Sequence, residues 1–140
     1  MIITYHNKQI AVEQGKGLSG LDLIRKHCPE NEGQILCMAC DTQLQSLNNL
    51  VPQHTSHCIF YDIHDTLGAE CLAVSTTALM LMAAEGLFPE TKISVEHSYG
   101  NGFYCEALDT GKLPANYLDI LEAKMHEYVQ ADHEFVEREI

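Results

Sequence analysis

The sequence predicts an α+β protein built from two modules that meet near residue 63. Strand-like segments surround a short capped helix in the first part of the chain. A long apolar helical segment follows, and an Asn-Gly turn then joins two further strand-like segments. Two strands, a helix and then more strands are the layout of a β-grasp domain. We therefore expect a β-grasp domain at 1–63 and a second α/β domain at 64–140.

The first module begins with a predicted β-hairpin. Apolar residues alternate with polar ones on both sides of the polar turn at 6–8: Ile3, Tyr5, Ile10 and Val12. Ser19 can cap a following helix that has Asp22 in its first turn, and Pro29 stops that helix. Further short strands are predicted where apolar residues lie between polar clusters: 35–39, Leu44, Leu47, Leu50 and 58–63.

The second module is centred on a segment from Cys71 to Gly86 that is apolar or small on nearly all sides. A helix of that kind is typically buried, and we expect it in the middle of the module. Strands around Ile93 and at 103–107 should flank the turn at Asn101-Gly102. Four residues at helical spacing predict a helix over 115–130: Tyr117, Leu121, Met125 and Tyr128. A last strand is predicted at 135–140.

Charge and composition exclude several classes of function. Lys+Arg 8 against Asp+Glu 20 gives 8 − 20 = −12, and such an acidic chain repels phosphate backbones. We therefore expect no DNA binding and no stable tRNA binding. Six cysteines without a secretory signal indicate reduced thiols and a cytoplasmic location. The longest uncharged apolar run, Cys71–Ala84, is shorter than the ~20 residues that cross a bilayer, so we expect no membrane span.

The segment from Gly15 to Gly20 matches G-x-G-x-x-G, a pattern found in dinucleotide-binding folds. In those folds the preceding strand is buried on both faces, whereas residues 9–13 alternate like a half-exposed strand. No G-x-x-x-x-G-K-[ST] phosphate loop occurs in the sequence. We therefore interpret these glycines as a turn before the helix and expect no cofactor in this chain.

Cys37 and Cys40 form a C-x-x-C pair, and Cys58 with His54 and His57 could complete a zinc site. On a strand, however, positions 37 and 40 point to opposite faces. We expect buried, reduced cysteines and no metal, with structural zinc as the alternative.

His97 differs from the other histidines because it lies between a predicted strand and the Asn-Gly turn. Polar side chains can converge there on a small ligand: His97, Ser98, Asn101, Tyr104 and Cys105. The second possibility is that His97 simply satisfies a backbone carbonyl. We expect the ligand pocket between this hairpin and the apolar helix around 74–78.

The chain resembles the N-terminal half of threonyl-tRNA synthetase. The resemblance rests on the two-module order and on three runs of sequence: Leu87-Phe88-Pro89-Glu90-Thr91-Lys92, Asn101-Gly102-Phe103-Tyr104 and Glu122-Ala123-Lys124-Met125-His126-Glu127. It implies that the first module is a TGS domain and that the second is similar to the editing domain, which hydrolyses mischarged seryl-tRNA.

The chain departs from the editing family at the residues that carry its chemistry. The family has an H-x-x-x-H pair on the apolar helix, and the equivalent positions here are Val74 and Ala78. The family's later cysteine and histidine motif would lie beyond Ile140. Without the imidazole pair, the groups that would activate water are missing, so we expect no catalytic residue in this chain.

His97-Ser98, the Asn-Gly turn, the aromatic pair and Cys105 together look like the N-terminal region of bacterial uridine kinase-like nucleoside kinases. That resemblance implies a P-loop kinase domain after residue 140, with ATP and Mg²⁺ as cofactors of the parent protein. The expected role of this chain is then regulatory: it binds a small molecule, such as a nucleoside or an amino acid. The alternatives are an editing hydrolase of aminoacyl-tRNA and a plain interaction module.

Overall fold

The structure is a computed structural model that describes residues 1–13, 17–100, 102–108, 113–133 and 135. The chain divides into two compact units, Met1–Ala73 and Val74–Ile140. The division falls inside a long helix, whereas the predicted boundary at residues 63 and 64 falls just before that helix begins. The domain ranges 1–63 and 64–140 stay a prediction.

The first unit is built on a five-stranded mixed sheet. Its strands are β1 (Ile2–Tyr5), β2 (Lys8–Ala11), β3 (Ile35–Cys40), β4 (Gln43–Gln45) and β5 (His57–Asp62). Their order across the sheet is β2-β1-β5-β3-β4, and only the central pair, β1 and β5, is parallel. This arrangement confirms the predicted α+β class and its β-grasp layout.

Helix α1 (Gly20–His27) follows the first hairpin, as predicted. Ser19 caps it through a reciprocal capping box with Asp22, and a short 3₁₀ turn at Pro29–Asn31 comes after it. Leu23 and Ile24 of α1 are buried against the sheet residues Met38 and Phe60 in one apolar core. Gly20 allows the close approach, since a Cβ there would lie 2.5 Å from the Met38 sulfur.

The second unit contains the ribbon of β6 (Lys92–Tyr99) and β7 (Gly102–Leu108) and helix α3 (Tyr117–Gln130). Both strands and the last helix were predicted. Its small core joins Ala83 and Ala84, near the end of the long helix, to Leu121 of α3. Asn101 and residues 136–140 lie outside the described residues, and Phe135 is described in no strand, so the predicted last strand stays a prediction.

The long helix α2 (Thr66–Leu87) forms as predicted, but the expectation that it is buried was wrong. Of its residues, only Gly68, Ala83 and Ala84 are buried, and Val74 is 66% exposed. In the described part of the second unit, the core covers only the end of the helix. By length and composition alone, α2 could cross a membrane, with a mean hydropathy of 1.6. The core helices of soluble proteins pass the same test, so the absence of a membrane span stays a prediction.

The start of α2 depends on a glycine. A Cβ at Gly68 would lie 1.9 Å from the carbonyl oxygen of Asp62, and backbone cannot move aside as a flexible side chain can. We expect Gly68→Ala to lower the free energy of unfolding by about 3 kcal/mol, although alanine is the better helix former. Denaturant unfolding of the two proteins measures the difference. Gly33→Ala is the control because nothing lies within 4 Å of its Cβ position; equal stability of both variants would contradict the close approach.

Candidate functional site

The predicted ligand residues of the second unit lie near the end of the β6–β7 ribbon. His97 pairs directly with Tyr104, and their rings stack with centroids 5.2 Å apart and planes 29° apart. Both residues are exposed, Tyr104 by 48%. The structure therefore brings these two side chains together as one stacked pair that is open to solvent.

Two further predicted ligand residues, Ser98 and Cys105, lie on the opposite face of the ribbon. Ser98 pairs with Phe103, and Cys105 pairs with Val95. Because side chains alternate along a strand, Ser98 and Cys105 point away from the face that carries His97. Asn101 lies outside the described residues. Two of the five predicted residues thus share a surface, and whether any of them binds a ligand stays a prediction.

The structure also describes Val74 and Ala78, the positions that the resemblance assigns to the editing family's histidine pair. Val74 and Ala78 are four residues apart on α2, so they lie on the same side of the helix, and both are exposed. Neither side chain can ionise or hold a metal ion. In the described part of the second unit, no three histidine, cysteine or acidic side chains are close enough to share a metal ion.

The cysteines of the C-x-x-C pair are buried on opposite faces of the first sheet. Cys40 lies directly across from Cys58, whereas the Cys37 thiol donates a long hydrogen bond to the backbone carbonyl of Leu67 in α2, 3.9 Å away. Burial raises the pKa of the Cys37 and Cys58 thiols to about 12, and it also raises that of Cys40. Zinc binds thiolates, so these protonated and divergent thiols are poor ligands. The geometry favours the interpretation as buried, reduced cysteines.

A polar network at the end of β5 was not predicted from the sequence. The Asp62 carboxylate, whose side chain is only 5% exposed, accepts hydrogen bonds from the Tyr5 hydroxyl at 2.8 Å and the backbone N–H of His64 at 2.8 Å. It also bonds with the His6 ring nitrogen at 2.7 Å. These bonds, that of His6 first, lower the pKa of Asp62 to about 2. Tyr5 and His6 lie more than fifty residues from Asp62 in the sequence, so no local pattern indicated these two contacts.

The same network contains the one group of possible metal ligands found among the described residues: His6, Asp62 and Asp65. Their ligand atoms lie within 4.8 Å of one another. However, Asp65 already accepts the backbone N–H of Asp62 at 3.0 Å, and both Asp62 oxygens are engaged. The arrangement therefore works as a closed hydrogen-bond network that joins the first hairpin to the end of β5.

No family model matches the chain. Among curated proteins, it is 25% identical to the threonine–tRNA ligase of Ehrlichia canis over 138 residues, which are 97% of this chain and 21% of that protein. It is 32% identical to that of Halorhodospira halophila over 88 residues, 63% of this chain and 14% of the relative. It is 22% identical to that of a Wolbachia of Brugia malayi over 96% of this chain.

The chain therefore spans about a fifth of the length of the relatives that it matches most fully. Threonine–tRNA ligase is another name for threonyl-tRNA synthetase, so these matches support the resemblance drawn from the sequence runs. The mixed α+β structure also fits a TGS-like module followed by an editing-like module. Over nearly its whole length, this chain is similar to one region of threonyl-tRNA synthetases.

The Asp62 network gives a pH dependence that can be measured. Asp62→Asn removes the charge that His6 faces, so we expect a lower free energy of unfolding at pH 7. The folded-state pKa of about 2 lies below the ordinary value of about 3.9, so the contribution of Asp62 is present above pH 4 and is lost as pH falls towards 2. The difference between wild type and variant should shrink over that range. Denaturant unfolding between pH 7 and 2 tests this.

Glu13→Gln is the matched control, because Glu13 is an exposed acidic residue of the same unit. A difference between wild type and Asp62→Asn that stays constant down to pH 2 would show that Asp62 is not held ionised by its neighbours.

Proposed function

We propose that this chain is a non-catalytic, threonyl-tRNA synthetase-like region that binds a small molecule and regulates a larger protein. The observation that carries the proposal is the pair Val74 and Ala78 on α2. These side chains occupy the positions of the editing family's histidines and offer no group that could activate water. The net charge of −12 also opposes the binding of a tRNA substrate.

The proposed parent protein is a uridine kinase-like nucleoside kinase, with ATP and Mg²⁺ bound by a kinase domain outside this chain. Support for it comes from the motif around His97 and Cys105, while the relatives described above are all threonine–tRNA ligases. The reading frame after codon 140 tests the parent directly. A phosphate-loop motif would support the kinase, and a synthetase core would contradict it.

The competing function is the hydrolysis of mischarged tRNA. We expect the purified chain to hydrolyse threonine-specific tRNA that carries serine no faster than the buffer blank, because neither Val74 nor Ala78 can act as a general base in place of the histidine pair. Release of labelled serine measures the rate. A threonyl-tRNA synthetase that has the histidine pair serves as the positive control. Hydrolysis above the blank would overturn the non-catalytic proposal.

The proposed ligand surface is the stacked pair of His97 and Tyr104. An exposed aromatic pair suits a planar ligand, since stacking on an aromatic face contributes about 1–3 kcal/mol per nucleobase. We expect one of a panel of nucleosides and nucleotides to raise the melting temperature, and His97→Ala to abolish that rise. The variant itself should melt within about 3 °C of wild type, because surface substitutions usually change stability by less than about 0.5 kcal/mol.

His54→Ala is the control for that experiment, because it removes an exposed histidine far from the ribbon in sequence. If no compound in the panel shifts the melting temperature, or if both variants keep the shift, His97 does not bind the ligand.

A further inference from the structure

The first unit contains a cavity of about 440 Å³ that the sequence analysis did not anticipate. It lies beside the turn of the β1–β2 hairpin and the C-terminal end of α1. Its apolar wall includes Ile3, Ile10 and Cys28, and Ile3 and Cys28 are buried. This volume is within the ~300–1,000 Å³ that is usual for small-molecule sites, which combine an apolar wall with a few polar groups.

The cavity carries one positive and one negative side chain at its edge, Lys8 and Glu30. Both charges act on the thiol of Cys28: after burial, which raises its pKa most, Glu30 raises that pKa further and Lys8 lowers it. The ammonium and the carboxylate therefore both lie near the same wall. Neither forms an ion pair with any residue that the structure describes. Two opposite charges thus lie on one cavity without neutralising each other directly.

The backbone adds partial negative charge beside Glu30, next to a last helical turn that carries Arg25, Lys26 and His27. Helix α1 ends at His27, and Cys28, its C-cap, lies in the cavity wall. The last carbonyl groups of a helix lack helical donors and carry partial negative charge, so they favour a cation. Glu30 follows directly in the 3₁₀ turn. A positively charged group of a ligand is therefore favoured on this side, and a negatively charged group is favoured beside Lys8.

The hairpin turn that forms the opposite edge has an unusual backbone. His6 has a φ of 51°, which is a left-handed backbone conformation. Glycine adopts it freely, whereas for histidine it is energetically unfavourable. Its ring is held by the 2.7 Å bond with Asp62 and packs 4.3 Å from the Tyr5 ring. Tyr5 and His6 both line the cavity. The Asp62 network thus fixes the edge of the cavity that precedes Lys8.

We propose that this cavity binds a free α-amino acid. Lys8 pairs with the carboxylate of the amino acid, Glu30 pairs with its ammonium group, and its side chain packs against Ile3 and Ile10. A zwitterion satisfies both charged residues at once, whereas a simple anion or cation would leave one of them unpaired. The site is separate from the ribbon surface of His97 and Tyr104, and it does not depend on the role proposed for that surface.

Isothermal titration of the purified chain with each standard L-amino acid tests the proposal. We expect at least one of them to bind one molecule per chain with a Kd in the millimolar range or below. Lys8→Met and Glu30→Gln should each weaken binding about tenfold or more, because each removes one charged hydrogen-bond partner. Lys26→Met and Glu13→Gln are the charge-matched controls and should bind normally, since neither residue lines the cavity.

Ligand analogues show which charge meets which residue. The methyl ester of the amino acid that binds should lose affinity for the wild type but lose nothing further with Lys8→Met. The N-acetyl derivative should likewise bind the wild type more weakly than the free amino acid does, and Glu30→Gln should weaken its binding no further. Three results would overturn the proposal: no binding by any amino acid, binding that both cavity variants retain, or binding of inorganic phosphate or another anion that needs Lys8 but not Glu30. Far-ultraviolet circular dichroism checks that each variant is folded.

Discussion

The hydrogen-bond network around the buried carboxylate of Asp62 is the interaction on which most of the first unit depends. A charge that is only 5% exposed needs hydrogen-bond donors, because an unpaired buried charge is costly. Here the donors come from both ends of the unit's sequence: Tyr5 and His6 at the first hairpin, and the backbone of His64 before α2. The residue joins the parallel strands β1 and β5 at the end where α2 starts. The close approach of Gly68 to its backbone then fixes how the helix begins.

Local patterns were enough to predict most of the fold. Alternation identified the first hairpin, Ser19 and Asp22 identified the start of α1, and the Asn-Gly turn identified the ribbon, because each of these signals lies within a few neighbouring residues. The burial of α2 could not be predicted in the same way. Apolar composition shows what a helix can bury, whereas burial depends on which other elements pack against it, and in the described second unit only Leu121 and its neighbours do so.

The candidate sites also show that local patterns in the sequence do not predict contacts between distant residues. His97 and Tyr104 were expected to lie together, and they do, because a hairpin turn sets the pairing of nearby strand residues. Ser98 and Cys105 were grouped with them, but strand alternation and the irregular register after Val95 place them on the other face. The Asp62 network and the cavity beside it bring together residues from distant parts of the sequence. Tyr5 and Asp62, for example, are more than fifty positions apart. No spacing rule in a single sequence could bring such residues together.

The two proposed ligand surfaces differ in the kind of molecule that they can hold. The stacked pair of His97 and Tyr104 is exposed on a narrow ribbon, so it can cover one face of a flat ring but can exclude little water. The cavity beside Lys8 and Glu30 is concave and has a partly buried apolar wall, so a small ligand can bury more of its surface there than on the ribbon. Affinity for a molecule as small as an amino acid depends on such enclosure, because few atoms must offset the entropy lost on binding. For a small zwitterion the cavity is therefore the stronger site, and the ribbon is suited only to a planar ligand.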